Sequence, residues 1–197
     1  PKAYFDRLDP DGIKLPPAPA DDLEDVPPAG RVFAHTILGF FKVDDHKAIV
    51  AIEDAWPQLV RAYLATSSFA DANIGRLLDA LGNSPHAENT IVVLWGDHGW
   101  HLGEKEHWRK MTLWERGTRT PFIIKWPGAK GNGRRVEAPV SLQDIFPTLV
   151  DLCGLKIDQE LDGHSLKPLL TNPGTAWDKP ALMSHGPGNF AVRLGRW

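Results

Sequence analysis

Five consecutive apolar residues, Ile91-Val92-Val93-Leu94-Trp95, run from polar Asn89-Thr90 straight into Gly96-Asp97-His98-Gly99. A strand with one wet face would alternate apolar with polar, and this one does not. A β-branched run that is apolar on both faces suits a parallel strand covered by helices on each side. The chain must therefore supply helices around a sheet. Upstream, "AIVAIEDAWPQLVRAYLATSSFADANIGRLLDALGN" carries apolar residues at Val60, Tyr63, Leu64, Ile74, Leu77, Leu78 and Leu81. That spacing is close to 3.6 and predicts one long helix stopped at Gly82-Asn83. Downstream, "TPFIIKWPG" reads as a second buried strand closed by Pro-Gly, and "SLQDIFPTLVDLCG" as a short helix. There Ser141 and Asp144 have capping-box spacing, Pro147 marks the first regular turn, and Gly154 is the expected C′ residue. "LDGHSLKPLLTNPG" predicts a turn plus a helical turn, and "ALMSHGPGNFAVRLGRW" two antiparallel strands. The order helix, strand, loop, strand, helix indicates an α/β layered fold.

Composition narrows the function classes. The 197 residues are 42% hydrophobic and 24% charged with a net charge of -3, which suits one domain with a real core. This balance leaves no footprint for nucleic acid, and no apolar run approaches a membrane span. The lone Cys153 excludes an intrachain disulfide framework and a cysteine-based zinc site. It reads as a buried helix cysteine. Residues 1–30, rich in Pro, Asp and Ala, predict an extended, irregular surface segment. A start at Pro1 without a signal peptide and an uncapped strand pattern at "FAVRLGRW" suggest a piece of a larger polypeptide.

The chemistry collects after the first strand. In open α/β sheets ligands bind beyond the carboxyl ends of parallel strands. Asp97 and His98 stand at that end, Gly96 permits a tight exit, and Gly99 lets the backbone approach a ligand. A carboxylate beside an imidazole is a credible half of a metal site. An Asp-turn with a hydrogen-bonded histidine is the plainer alternative.

The run "GDHGWHLGEKEHWRK" with "TRTPFIIKWPG", followed by "VSLQDIFPTLVDLCGL" and "LDGHSLKPLL", resembles the sulfatase family of the alkaline-phosphatase superfamily. The likeness is nearest to its iduronate-2-sulfatase and choline-sulfatase-like branch. "YLATSSFADANIGRLLDAL" also resembles the long helix that precedes this strand in that family. The resemblance implies an alkaline-phosphatase-like three-layer α/β fold with a mostly parallel central sheet, only part of it present. Residues 1–178 would be the C-terminal part of the catalytic domain, and 179–197 the start of a small antiparallel subdomain. Carried over by position, Asp97 and His98 look like the second pair of ligands for a divalent metal, usually Ca2+. Lys110 looks like the catalytic lysine that contacts the sulfate ester. Trp100 would wall a sugar ring, or else be a core or rim aromatic. His107 and Trp108 would shape the substrate mouth, or simply pack. His101, Glu104 and Lys105 would form a solvated loop or position the ligands. Arg116 and Arg119 would pair with loop carboxylates, and His164 and His185 would be surface histidines, His185 with a pocket-lining alternative.

The family uses a formylglycine made within a C/S-x-P-x-R motif, and no such motif occurs in this chain; Cys153 is followed by "GLKI". The nucleophile and first metal carboxylates belong to the family's N-terminal half, and a Lys-Pro-His motif should precede "PKAYFDRLDP". The resemblance therefore implies a sulfuric-ester hydrolase of sulfated carbohydrate or a small sulfate ester such as choline sulfate. This chain would carry half of the metal site, need the N-terminal half, and be inactive alone. The family implies a periplasmic, extracellular or lysosomal-type setting. Two alternatives stay open: a metal-dependent phosphodiesterase or phosphonate monoester hydrolase of the same superfamily, and a non-catalytic truncated remnant.

Overall fold

The structure is a computed structural model that describes residues 2–35 and 44–195. The terminal residues Pro1, Arg196 and Trp197 lie outside the described residues, so the expectations placed on both chain ends fall partly there. In chain order the main elements are α1 (Lys2–Asp6), α2 (Pro28–Ala34), α3 (Asp45–Val50), α4 (Ala55–Gly82), β1 (Val92–Trp95), β2 (His101–Leu102), β3 (Trp108–Arg109), α5 (Glu115–Thr118), β4 (Phe122–Lys125), α6 (Ile145–Leu152), α7 (Lys167–Thr171), β5 (Ala181–Ser184) and β6 (Phe190–Arg193). They fall into two compact units, residues 1–87 with 99–117, and residues 88–98 with 118–197.

In the first unit the predicted long helix is two helices. Proline lacks an N–H and clashes with the carbonyl four residues earlier, so it is tolerated only within the first helical turn. Pro57 therefore forces a start just upstream of itself. Asp54, left-handed at φ 58, makes that break, and α4 then runs for 28 residues. Val60 and Ala65 are buried, whereas Tyr63, Leu64, Leu77 and Leu78 of the predicted apolar stripe are at least 40% exposed within this chain. The segment expected to be irregular contains α1 and α2. Tyr4 meets Phe69 of α4 edge to face at 5.4 Å, and Arg61 of α4 lies over Phe5 at 4.1 Å. These aromatic contacts give a short helix a tertiary reason to form.

The first unit also holds the β2–β3 hairpin, in which His101 pairs with Arg109 and Leu102 with Trp108. Gly103 turns the chain at φ 115, and a Cβ there would come within 2.4 Å of the Trp56 ring. Trp56 donates from Nε1 to Leu102 O at 2.7 Å, which fastens the hairpin to α4.

In the second unit the two predicted strands, β1 and β4, pair with each other, with Val93 opposite Ile124 and Trp95 opposite Phe122, but none of their residues is fully buried. The pair is antiparallel, not parallel as the all-apolar run suggested. Nor is it covered on both faces within this chain, since Trp95 is 49% and Ile123 58% exposed. Gly96 is required where the strands meet: its N–H donates to Pro121 O at 3.0 Å, and a Cβ would lie 2.2 Å from Thr120 Oγ1.

The capping box at Ser141 and Asp144 forms as read, and Gly154 at φ 63 closes α6. Leu155 N–H reaches Val150 O and Gly154 N–H reaches Asp151 O, the paired bonds of a Schellman motif. Asp144 also accepts from the His164 N–H at 2.8 Å, which docks the "LDGHSLKPLL" turn on this helix start. Cys153 is the C-cap residue and is exposed; the sequence places it on the helix but gives no sign that its face is uncovered. β5 and β6 pair antiparallel as expected.

Candidate active site

β1 delivers Asp97 and His98. Asp97 is 82% exposed at its side chain, His98 27%, and Asp97 Oδ2 lies 3.3 Å from His98 Nε2. The His98 N–H also donates to Asp97 Oδ1 at 3.1 Å. Both donor atoms thus sit close enough to belong to one coordination shell. The backbone bond and the 3.3 Å approach of the second oxygen equally satisfy the alternative, an Asp-turn with a hydrogen-bonded histidine. Calcium takes six to eight oxygen ligands. Among the described residues no group of three His, Cys, Asp or Glu side chains stands ready for a metal. Asp97 and His98 therefore fit a divalent cation as part of a shell. The imidazole is a softer donor than calcium prefers.

Lys110 lies in the other unit, just past β3, and is exposed. Its neighbours are anchored. Trp108, 6% exposed, meets the Trp56 ring edge to face at 5.8 Å and donates from Nε1 to His46 Nδ1 at 3.2 Å. Arg109 forms an ion pair with Asp45 at the start of α3. Trp100 stacks on Tyr63 of α4, with ring centroids 6.4 Å apart and planes 23° from parallel. Trp100 keeps its candidacy as a ring wall, now as half of an aromatic pair.

His107 is not at a mouth in this chain. It is 4% exposed, Nδ1 lies 3.1 Å from Ala34 O, and its ring meets those of His101 and Trp114. Of the two readings for His107 and Trp108, the packing one describes their surroundings. His101 departs further from expectation. It is fully buried, with Nε2 2.9 Å from Thr112 Oγ1 and Nδ1 without a hydrogen bond. Burial, reinforced by His107, pushes its pKa down from 6.5 to about 4. The imidazole is thus neutral, an internal brace of the loop that carries Lys110. No local signal marks this: β2 spans only His101–Leu102, and the rings against His101 come from His107 and Trp114.

Glu104 is also no loose loop residue. It accepts from Leu102 N–H at 2.8 Å and pairs with Arg116 at 3.5 Å, as expected for that arginine. Lys105 is tied to Asp22, accepting nothing and donating Nζ to its carboxylate at 2.8 Å. That hydrogen bond to Asp22 holds the ammonium above its ordinary pKa. His164, half exposed, lies 6.4 Å from the Trp177 ring, and His185 is half-buried beside the β5–β6 turn.

A family model described as Sulfatase matches residues 16–155. Over 98% of its length the chain is 37% identical to a sulfatase of Formosa agariphila, covering 37% of that protein. It is 36% identical, over 72% of its length, to an N-acetylglucosamine-6-O-sulfatase of Bacteroides thetaiotaomicron, covering 26% of it. Among solved structures, the phosphonate monoester hydrolase SpPMH from Silicibacter pomeroyi superposes on 92% of the chain with a TM-score of 0.76 and 30% identity; the chain covers 36% of it. The chain spans about a third of the length of such relatives.

Proposed function

The chain belongs to the sulfatase family, and on that premise we propose that it carries part of the active site of a sulfuric-ester hydrolase. The single observation behind this reading is the 3.3 Å approach of Asp97 Oδ2 to His98 Nε2 directly after β1. Asp97 and His98 would hold a divalent cation, Ca2+ by family expectation. When bound, that cation supplies positive charge to the sulfate oxygens. Lys110 binds the same anion as a compact point charge and steadies it as negative charge builds on the leaving oxygen. Trp100, backed by Tyr63, offers an aromatic face to a sugar ring, and the same face would also take the trimethylammonium group of choline sulfate. The N-acetylglucosamine-6-O-sulfatase named for the Bacteroides relative supports the sulfated carbohydrate. The chain contains no C/S-x-P-x-R sequence, so it offers no residue for a formylglycine, and the nucleophile is proposed to come from a longer polypeptide containing this chain. Such an enzyme would work in a periplasmic, extracellular or lysosomal-type compartment, which cell fractionation tests.

The likeness to SpPMH keeps a phosphonate monoester hydrolase as the second reading. Steady-state kinetics of the full-length enzyme on matched aryl sulfate and phenyl phosphonate esters decide between them. A higher kcat/KM on the sulfate, lost in Lys110→Gln, is expected. A preference for the phosphonate, or wild-type sulfate turnover in Lys110→Gln, overturns the sulfatase reading.

A further inference from the structure

The chain grips the backbone on both sides of Lys110, while Lys110 itself is exposed. On the near side Arg109 sits at φ 73, a left-handed conformation that residues with long side chains rarely adopt. Its guanidinium is ion-paired with Asp45, and the adjacent Trp108 donates to His46. Two successive residues of α3 thus take two successive residues of β3. The receiving helix is itself anchored: Asp44 caps it by accepting from Lys47 N–H at 3.1 Å, and also lies 2.7 Å from His35 Nδ1. On the far side Thr112 is held by His101, and a Cβ on Gly117 would lie 3.1 Å from Lys110 O.

We propose that Arg109 and Asp45 are a positioning pair for Lys110: the ion pair holds the left-handed residue, and that residue sets the direction of the chain from which the lysine projects. The inference rests on the reading that Lys110 binds the substrate's anion. Local backbone strain persists only when surrounding contacts enforce it, and it gathers at functional sites. A partly exposed ion pair contributes little to stability on its own, and these side chains are 37% and 24% exposed. The contact therefore has more to do with where Lys110 stands than with whether the hairpin folds.

The test is steady-state kinetics and thermal unfolding of the full-length enzyme on an aryl sulfate. Arg109→Gly tolerates the left-handed backbone but loses the tether. Together with Asp45→Asn it is expected to lower kcat/KM about tenfold to hundredfold, the scale on which small misplacements act. Tm should move by no more than about 2 °C. The reversed pair, Arg109→Asp with Asp45→Arg, should recover part of the loss, since aspartate tolerates this conformation. If Arg109→Gly and Asp45→Asn keep wild-type kcat and KM while Lys110→Gln is inactive, the positioning role is overturned and the lysine's role stands. If Lys110→Gln is fully active, the reading of the site fails first and the positioning role with it. Activity losses that only follow losses in Tm, without recovery in the reversed pair, also overturn it.

Discussion

Lowering the pH should loosen the hairpin that carries Lys110, and His101 is the group that should make it do so. His101 is neutral in the fold with a pKa of about 4, against 6.5 when exposed. Between these values the unfolded chain binds a proton that the folded chain refuses, so stability rises with pH across that window. The contribution is fully present above about pH 6.5, declines as pH falls toward 4, and levels off below. At 1.36 kcal/mol per pH unit, the gap between 6.5 and about 4 amounts to about 3 kcal/mol. His101→Gln keeps an amide that can bond Thr112 Oγ1 but does not titrate. Urea unfolding of wild type and variant, followed by Trp fluorescence from pH 8 to 4, isolates the residue. The variant should be the less stable of the two at pH 7.5 and should lose less as the pH falls, by about 2 kcal/mol at pH 5. Parallel curves for the two proteins would refute the claim that His101 is buried and neutral.

Three further outcomes follow from the geometry. Gly103→Ala combines φ 115 with a Cβ 2.4 Å from the Trp56 ring, and should cost about 2–4 kcal/mol of stability in chemical denaturation. Thr148, fully buried, donates to Asp144 O at 2.5 Å and accepts from Leu166 N–H at 2.9 Å. Thr148→Val should lose about 1–3 kcal/mol by stranding that N–H, whereas Thr148→Ser should lose less in the same assay. Asp97→Asn should weaken calcium binding by calorimetry at least about tenfold in the full-length enzyme, about 1.4 kcal/mol, while leaving Tm of the calcium-free protein unchanged.

Much of the fold was legible because its signals are local. The capping box at Ser141, Gly154 as the helix terminator, the β-branched strand and the Pro-Gly-bounded second strand each depend on residues within one turn or one strand. The β1–β4 direction was not legible, because a run apolar on both faces reports burial and carries no information about the partner's polarity. Asp54 hid the break between α3 and α4: the apolar period continues through it, and only Pro57 in the first turn argued for a new start. At the site, adjacency made Asp97 and His98 readable as a pair. The surroundings of Lys110 were not, since Asp45, His46 and Trp56 approach from more than forty residues away. A histidine in a loop of charged residues reads as solvated, and His101 is instead buried against the rings of His107 and Trp114, which the local sequence does not announce.

The central claim is that Asp97 and His98 share a cation and Lys110 binds the anion it attracts. A crystal structure of the full-length enzyme soaked with calcium and a slowly turned-over sulfated sugar tests it most directly. The account predicts a cation about 2.3–2.6 Å from an Asp97 oxygen, bound also by His98 Nε2, with Lys110 Nζ in hydrogen-bond reach, about 3 Å, of a sulfate oxygen. A cation held elsewhere, or a sulfate that Lys110 does not touch, would contradict it.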